Sequence, residues 1–396
     1  MRVAIMGIDG YLGWTLAQYL SSYGHDVGGM DDYLRRDWVA RMGSHSAIPI
    51  AKMTDRMDAF YHVHGKPLHF VRGDLTDYSA VKNFLRSFQP DCIVHLGEMP
   101  SAPYSMISAD HCSWTHTNNL TGTINILYVM KEYFPMCHLL KLGTMGEYGT
   151  PNVAIPEGFF EIAYRGRVDN LPFPRQPGSW YHCTKVHDSV NIQLACKLWG
   201  LRSTDIMQGV VYGVSIPDMK GKKELHTRFD FDEAFGTAIN RFVAQALVGV
   251  PLTPYGKGRQ ARGFLPLCDS MQCFRLAIEN PPMCGEYRVL NQFEEVYYLD
   301  ELASLVADEA NNSSYVPFEA TVANVENPRM EEEEHYYNPD REKLLKLGYK
   351  PLGNLSGTIR SMFCDLNIHK SRIESHKHLL IPSIRWDGRL ERCKAL

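Results

Sequence analysis

Arg2-Val3-Ala4-Ile5-Met6-Gly7-Ile8-Asp9-Gly10-Tyr11-Leu12-Gly13 is the stretch whose reading decides the fold. Val3 to Met6 form an unbroken apolar run, as expected of a strand covered on both faces. The run enters GxxGxxG, after which Leu12, Leu16 and Leu20 recur at helical spacing. Strand, glycine turn and helix in that order suit the diphosphate of a dinucleotide. Glycine lets the backbone turn tightly and approach closely, and the helix N-terminus faces the negative charge. Gly7, Asp9, Gly10, Tyr11, Leu12 and Gly13 are the first candidate cofactor residues.

Outward from there, Gly24 closes the helix and a second strand ends at Asp31-Asp32, although Gly28 and Gly29 weaken it as a strand. A carboxylate at that point accepts hydrogen bonds from both adenosine ribose hydroxyls and repels a 2′-phosphate, so NAD is expected over NADP. Arg35 and Arg36, just beyond, can meet phosphate. From Tyr33 to Val71 the pattern is irregular and reads as an insertion. Strand signals return at 68–71, 92–96 and 138–144, with helical stretches between them, the last starting near Asn118. Strands alternating with helices predict an α/β fold, a Rossmann-type doubly wound parallel sheet. Ligands then bind beyond the carboxyl ends of the strands, where Gly97, Glu98, Thr144 and Glu147 fall. Gly285 to Gln292 reads as a late strand returning to the sheet.

Tyr181-His182-Cys183-Thr184-Lys185 lies on a segment whose Val186, Val190 and Leu194 repeat at helical spacing. Residues four apart share a helix face, so the phenol and the ammonium can enter one cleft. A neighbouring cation favours the phenolate. Lys185 and a nicotinamide charge are expected to lower the Tyr181 pKa and make it a base near neutral pH.

With 396 residues and a formal charge of −4, the chain can bury a sizeable core and lacks the basicity of a nucleic-acid binder. Its apolar runs are too short to span a bilayer. The opening strand leaves no room for a leader, and a cytoplasmic enzyme is expected. Ten cysteines without a CxxC pair argue against a disulfide framework or a zinc site. No metal is expected at Glu331 to Glu334 either, because four successive glutamates cannot converge on one ion; they read as a solvated acidic face. Residues 1–213 are assigned to the dinucleotide domain, rejoined by 235–250 and 284–292. Residues 214–396 are assigned to a smaller C-terminal substrate lobe with a tail after Leu366, and the charged, irregular stretch from Ile216 to Asp232 begins it.

Gly7/Gly10/Gly13, Asp31, Gly73-Asp74-Leu75, Asn118, Thr144, Tyr181/Lys185 and the block Pro251 to Phe264 resemble the extended short-chain dehydrogenase/reductases that modify nucleotide sugars. Longer blocks are similar to UDP-sulfoquinovose synthases: Ser101-Ala102-Pro103-Tyr104-Ser105-Met106, Gly143 to Asn152, Lys185 to Ser189, Gln208 to Gly213 and Glu333 to Asn338. The resemblance implies synthesis of UDP-sulfoquinovose from UDP-glucose and sulfite, free or from a donor protein, through 4-keto sugars on a tightly held NAD, and a homodimer is the expected assembly. It also implies that Asp31, Asp32, Arg35, Arg36, Asp74, Leu75, Gly97, Glu98, Asn118 and Gln208 serve the cofactor together with Tyr181 and Lys185. Ser101, Tyr104, Thr144, Tyr255, Gln260, Arg262 and Arg329 are implied for the UDP-sugar. Arg262, with Arg259 near it, suits a diphosphate because a guanidinium binds phosphate oxygens in pairs. Pro100 stands where plant-type members have an arginine, and Asp32 where many relatives carry asparagine.

In the chemistry so implied, Tyr181 takes the proton of the sugar 4-hydroxyl and Thr144 bonds the same oxygen. Sugar 4,6-dehydratases carry Thr-Asp-Glu where this chain has Thr144-Met145-Gly146-Glu147, so neither carboxylate is in the dehydratase register. Glu147 and His182 are the acid/base candidates at C5 and C6, and Met145 shapes the pocket. A histidine tolerates anionic sulfite better than paired carboxylates do. The alternatives are a UDP-glucose 4-epimerase, a 4,6-dehydratase, or an inactive NAD-binding sensor or scaffold, which would not need Thr144, Tyr181 and Lys185.

Overall fold

The computed structural model describes residues 1–329 and 334–385. β1 (Arg2–Met6) is buried from Val3 onward and leads through the glycine turn into α1 (Tyr11–Ser22). Gly7 has φ +87°, and a Cβ on it would meet the Gly97 backbone at 2.7 Å, while a Cβ on Gly13 would lie 2.3 Å from the Gly7 carbonyl oxygen. The turn is therefore closed to any side chain at either place. In β2 (Asp26–Asp31), the rings and methyls of Phe88 and Ile8 fill the space that side chains at Gly28 and Gly29 would take, which accounts for two glycines in a strand.

The Tyr33–Val71 stretch is not an irregular insertion. It holds α2 (Leu34–Arg41) and α3 (Met53–His64) ahead of β3 (His69–Arg72). α3 turns only Met53, Arg56 and Phe60 inward, and the arginine on that face breaks the apolar period. α4 (Tyr78–Phe88), β4 (Cys92–His95), α5 (Ala102–Ser105), α6 (Ala109–Tyr133) and β5 (His138–Thr144) follow. α6 begins at a Ser108 N-cap, well before Asn118, because polar residues fill its first turns.

β6 (Phe159–Tyr164) and β7 (Arg167–Pro172) make a separate hairpin before α7 (Trp180–Trp199). Next come β8 (Arg202–Gln208), β9 (Val210–Tyr212), α8 (Ala238–Leu247), β10 (Ala261–Pro266), α9 (Leu267–Glu279), β11 (Tyr287–Gln292), β12 (Glu295–Tyr298) and α10 (Leu299–Asn311). The remaining α-helices among the described residues are α11 (Glu342–Lys346), α12 (Leu355–Asn367) and α13 (Lys370–Glu374). Seven strands pair in parallel in the order β11-β8-β5-β4-β1-β2-β3. The order reverses between β1 and β4, which opens a crevice at their carboxyl ends.

A second core lies in the C-terminal half, where Phe242 and Leu247 of α8 pack with Leu302 and Val306 of α10 and with Ile359 and Phe363 of α12. The expectation that 235–250 rejoins the cofactor sheet is thus corrected: α8 is buried all round between lobe helices, whereas β11 does pair with β8. The described part of the tail, residues 367–385, packs on the lobe. Arg372 donates to the Ser46 and Ala47 carbonyls, and Ile373 and Leu380 enter the second core. Residues 331–333 of the acidic run lie outside the described residues. Among the described residues the cysteines are free, no cluster suited to a metal occurs, and no helix is long and apolar enough to cross a membrane.

Candidate active site

The crevice widens into a cavity of about 680 Å³ that runs from the glycine turn to the lobe. Gly7, Gly10, Tyr11, Leu12 and Gly13 form one end, with α1 starting from Gly10 without a side-chain cap, so its first N–H groups are open to a ligand. Asp31 and Asp32 lie beside them, then Arg35, Asp74, Leu75, Gly97 and Asn118. Asp31 accepts the N–H groups of Asp9 and Tyr33 at 2.8 Å each; burial, then the Asp9 carboxylate, push its pKa up to about 7.

Midway, Thr144, Met145, Tyr181 and His182 come together with Gln208. α7 places two of these from one turn, starting at a Ser179 N-cap. The His182 N–H donates to Ser179 Oγ, which also lies 3.0 Å from His182 Nδ1, so the ring is aimed by its own helix start. Nε2 reaches over Gly146, where a Cβ would stand only 2.4 Å from it. A side chain at 146 and this histidine therefore exclude each other. The Thr144 hydroxyl accepts the Gly146 N–H at 3.1 Å, which leaves its own proton for a ligand. At the lobe end are Ser101, Tyr255, Arg262 and Arg329, facing α8.

Six of the expected site residues do not line this cavity, and Arg259 is also elsewhere. Asp9 is buried against Arg36, in two hydrogen bonds, and Arg56, so Asp9 and Arg36 cancel each other behind the turn. Tyr104 packs with Trp38, Met99 and Phe235. Gln260 is fully buried. Arg259 pairs with Asp300 on the surface. Glu147 is fully buried beneath the site, where it accepts from Arg175, Ser189 and the Thr144 N–H. Burial, then Asp205, raise its pKa to about 7. It shapes the β5 end and does not line the cavity.

Lys185 is the sixth. Its ammonium donates to the Leu142 carbonyl at 2.6 Å and is bonded to Glu98, whose carboxylate also meets Lys141 at 2.6 Å and His95 at 3.3 Å. Glu98 borders the cavity, but its charge is spent on these cations, which hold its pKa far below the usual range against the opposing effect of burial. The expected lowering of the Tyr181 pKa is corrected as well. Burial first, then Glu98, raise it, and the Lys185 charge is already matched.

The sequence reading missed Arg228 and Arg241, both on the cavity wall and both nearly fully buried. The signal was present in Arg228-Phe229-Asp230-Phe231-Asp232: alternation around two core phenylalanines implies charges gathered on an opposite buried face. The helical repeat alone does not place the buried side of α7. Val190 and Leu194 face solvent, and Thr184, Lys185, Asp188, Ser189 and Ile192 face inward, because the buried side carries the ion pairs.

Residues 3–291 match the model of the NAD dependent epimerase/dehydratase family. The chloroplastic UDP-sulfoquinovose synthase of Spinacia oleracea is 46% identical over 385 residues, 97% of this chain and 79% of that protein. The UDP-sulfoquinovose synthase of Sulfolobus acidocaldarius is 43% identical over 387 residues, 98% of each chain. Among solved structures, UDP-glucuronic acid 4-epimerase from Bacillus cereus in complex with UDP-glucuronic acid and NAD superposes with a TM-score of 0.68 at 20% identity, covering 93% of this chain and 99% of that one. That likeness bears on the fold.

Proposed function

The chain belongs to the NAD dependent epimerase/dehydratase family and, within it, to the UDP-sulfoquinovose synthases, and from that membership and the cavity we propose that it makes UDP-sulfoquinovose from UDP-glucose and sulfite on a re-used NAD. The wall fits a dinucleotide: a turn closed to a Cβ at Gly7 and Gly13, uncapped N–H groups at α1, and the Asp31 carboxylate near where a ribose would lie. When bound, NAD takes a hydride from sugar C4 and later gives it back.

The chain's own residues handle the protons. Tyr181 accepts the 4-hydroxyl proton and returns it at the end, and Thr144 donates a hydrogen bond to the same oxygen as it becomes a carbonyl. The carbonyl acidifies C5–H. Loss of that proton and of the 6-hydroxyl as water leaves a 5,6-alkene, to which sulfite adds through sulfur at C6 while C5 regains a proton. His182 is the side chain beside Tyr181 able to carry a proton there. Arg262, Arg329 and Arg241 are the cations for the UDP diphosphate.

One observation carries this reading over the dehydratase: His182 Nε2 occupies the space of a side chain at Gly146, so the dehydratase carboxylate is replaced by an imidazole. Free sulfite is the second substrate in this reading. A homodimer is supported by apolar side chains standing in solvent on neighbouring α6 and α7: Ile124, Tyr128, Val190, Leu194 and Leu198. The cytoplasm is the compartment we assign, in keeping with the free state of all nine cysteines among the described residues. The test is mass spectrometry of UDP-glucose incubated with the protein, with and without sulfite. A product that needs sulfite and carries its mass is expected; UDP-galactose or a stable 4-keto-6-deoxy sugar would overturn the reading.

A further inference from the structure

The segment from Leu225 to Phe235 does more than open the lobe: it crosses the glycine turn. The Leu225 carbonyl accepts from Trp14 Nε1 at 2.9 Å and Gln18 Nε2 at 3.0 Å, both on α1. The His226 carbonyl accepts from Arg56 of α3 at 3.0 Å, and the Thr227 hydroxyl donates to the Tyr11 carbonyl at 2.9 Å. Farther on, Ser101 donates to the Ala234 carbonyl. Phe229 and Phe231 anchor the segment in the lobe core, which turns Arg228 and Asp230 the other way.

Asp230 accepts from Nε and Nη2 of Arg228 at 3.0 Å each and from Nη2 of Arg35 at 2.7 Å. Burial opposes its charge, but the two guanidinium groups outweigh burial and hold its pKa at about 2. Each arginine keeps one buried nitrogen, Nη1, that no hydrogen-bond acceptor meets, and Arg228 is only 1% exposed. Both line the cavity. Both guanidinium groups spend their hydrogen bonds on the Asp230 carboxylate, with Asp232 acting on Arg35 only through its field. The two Nη1 donors left unmet in a buried wall are costly unless an acceptor completes them. The tether from Thr227 to Tyr11 sets those donors beside the glycine turn.

Resting on the NAD reading above, we propose that residues 225–235 form a strap that seals the dinucleotide in its cleft, with Arg228, clamped by Asp230 next to Arg35, as the cation facing its diphosphate. A cycle that returns its hydride needs no exchange of cofactor, and the strap makes exchange slow. Arg228 is a binding residue on a segment that must detach from α1 before the cofactor leaves.

The full-length protein is loaded with radiolabelled NAD and chased with unlabelled NAD, and bound label is followed by gel filtration. Arg228→Gln is expected to release NAD about 10- to 100-fold faster, as for loss of one hydrogen bond between charged groups. Thr227→Val, which removes a single hydroxyl, is expected to speed release several-fold, and it decides the matter should Arg228→Gln fail to fold. UDP affinity, measured by calorimetry, is expected to stay unchanged in both. Release at the wild-type rate, or weakened UDP binding in place of faster NAD release, overturns the strap alone. A wild-type protein that neither retains nor binds NAD overturns the parent reading with it.

Discussion

The Lys185 ammonium is bonded to the Glu98 carboxylate, which borders the cavity while Lys185 itself does not line it. Lys141 joins the same carboxylate and also meets Asp188 at 3.1 Å. Lys185, Lys141, Glu98 and Asp188 close a buried group beneath Tyr181, in which burial, with Glu98 beside it, raises the Asp188 carboxyl well above its usual range. Burial first, then Glu98, raise the Tyr181 pKa, so the phenol is protonated in the protein alone, and a positive charge bound beside it would favour the phenolate.

Tyr181→Phe keeps the ring that packs over His182 and removes only the oxygen. Turnover is expected to fall by about 10²- to 10⁴-fold, the usual range for a positioned acid/base, while NAD content stays at the wild-type level. Normal turnover, measured by product mass spectrometry, would remove Tyr181 from the proton path.

Glu147 lies off the cavity, so Glu147→Gln is expected to keep kcat within about tenfold of wild type, against the acid/base role its position in the sequence suggests. Its signature lies in stability. A carboxyl raised from 4.5 to about 7 favours the folded state below pH 4.5, and that contribution fades as pH rises through about 7. Urea unfolding at pH 5 and pH 8 should show the Gln variant gaining on wild type by about 2 kcal/mol across the interval. A difference that does not change with pH would mean that Glu147 does not titrate there.

The cofactor half was legible because its signals are local: an apolar strand, glycines that no Cβ can replace, and a helix from Tyr11. The ion group under the site was not. Glu98, Lys141 and Asp188 are distant in sequence and meet only because β4 and β5 are neighbours and α7 packs across them. The repeat of Val186, Val190 and Leu194 marks α7 as a helix but not its buried side, which the burial of paired charges sets. Arg228 was hidden for a related reason, since buried charge on a strap without regular structure looks like solvated loop until its partners are known.

The apolar strip on α6 and α7 predicts the assembly. Leu194→Glu, at a position 51% exposed, should leave the chain folded and the NAD site filled while shifting the protein from dimer to monomer in sedimentation velocity. A wild-type monomer, or a variant dimer of unchanged stability, would dismiss this face as the interface.

The Glu98 group makes a prediction whose sign separates electrostatics from simple damage. Tyr181 is faced by Glu98 and Glu147, which raise its pKa, and by Lys141 and Arg35, which lower it. Glu98→Gln removes a raising charge, so the basic form of the phenol is reached at lower pH and the rising limb of kcat against pH moves down, by about one unit. Lys141→Met removes a lowering charge and moves the same limb up. Each change strands a buried partner, with a cost of about 3–5 kcal/mol in stability, so both variants are assayed well below their unfolding temperatures. Damage to packing would lower activity in both without displacing the limb. Opposite displacements are expected only if the ion group sets the proton affinity of Tyr181, and shifts of one sign, or none, would show that it does not.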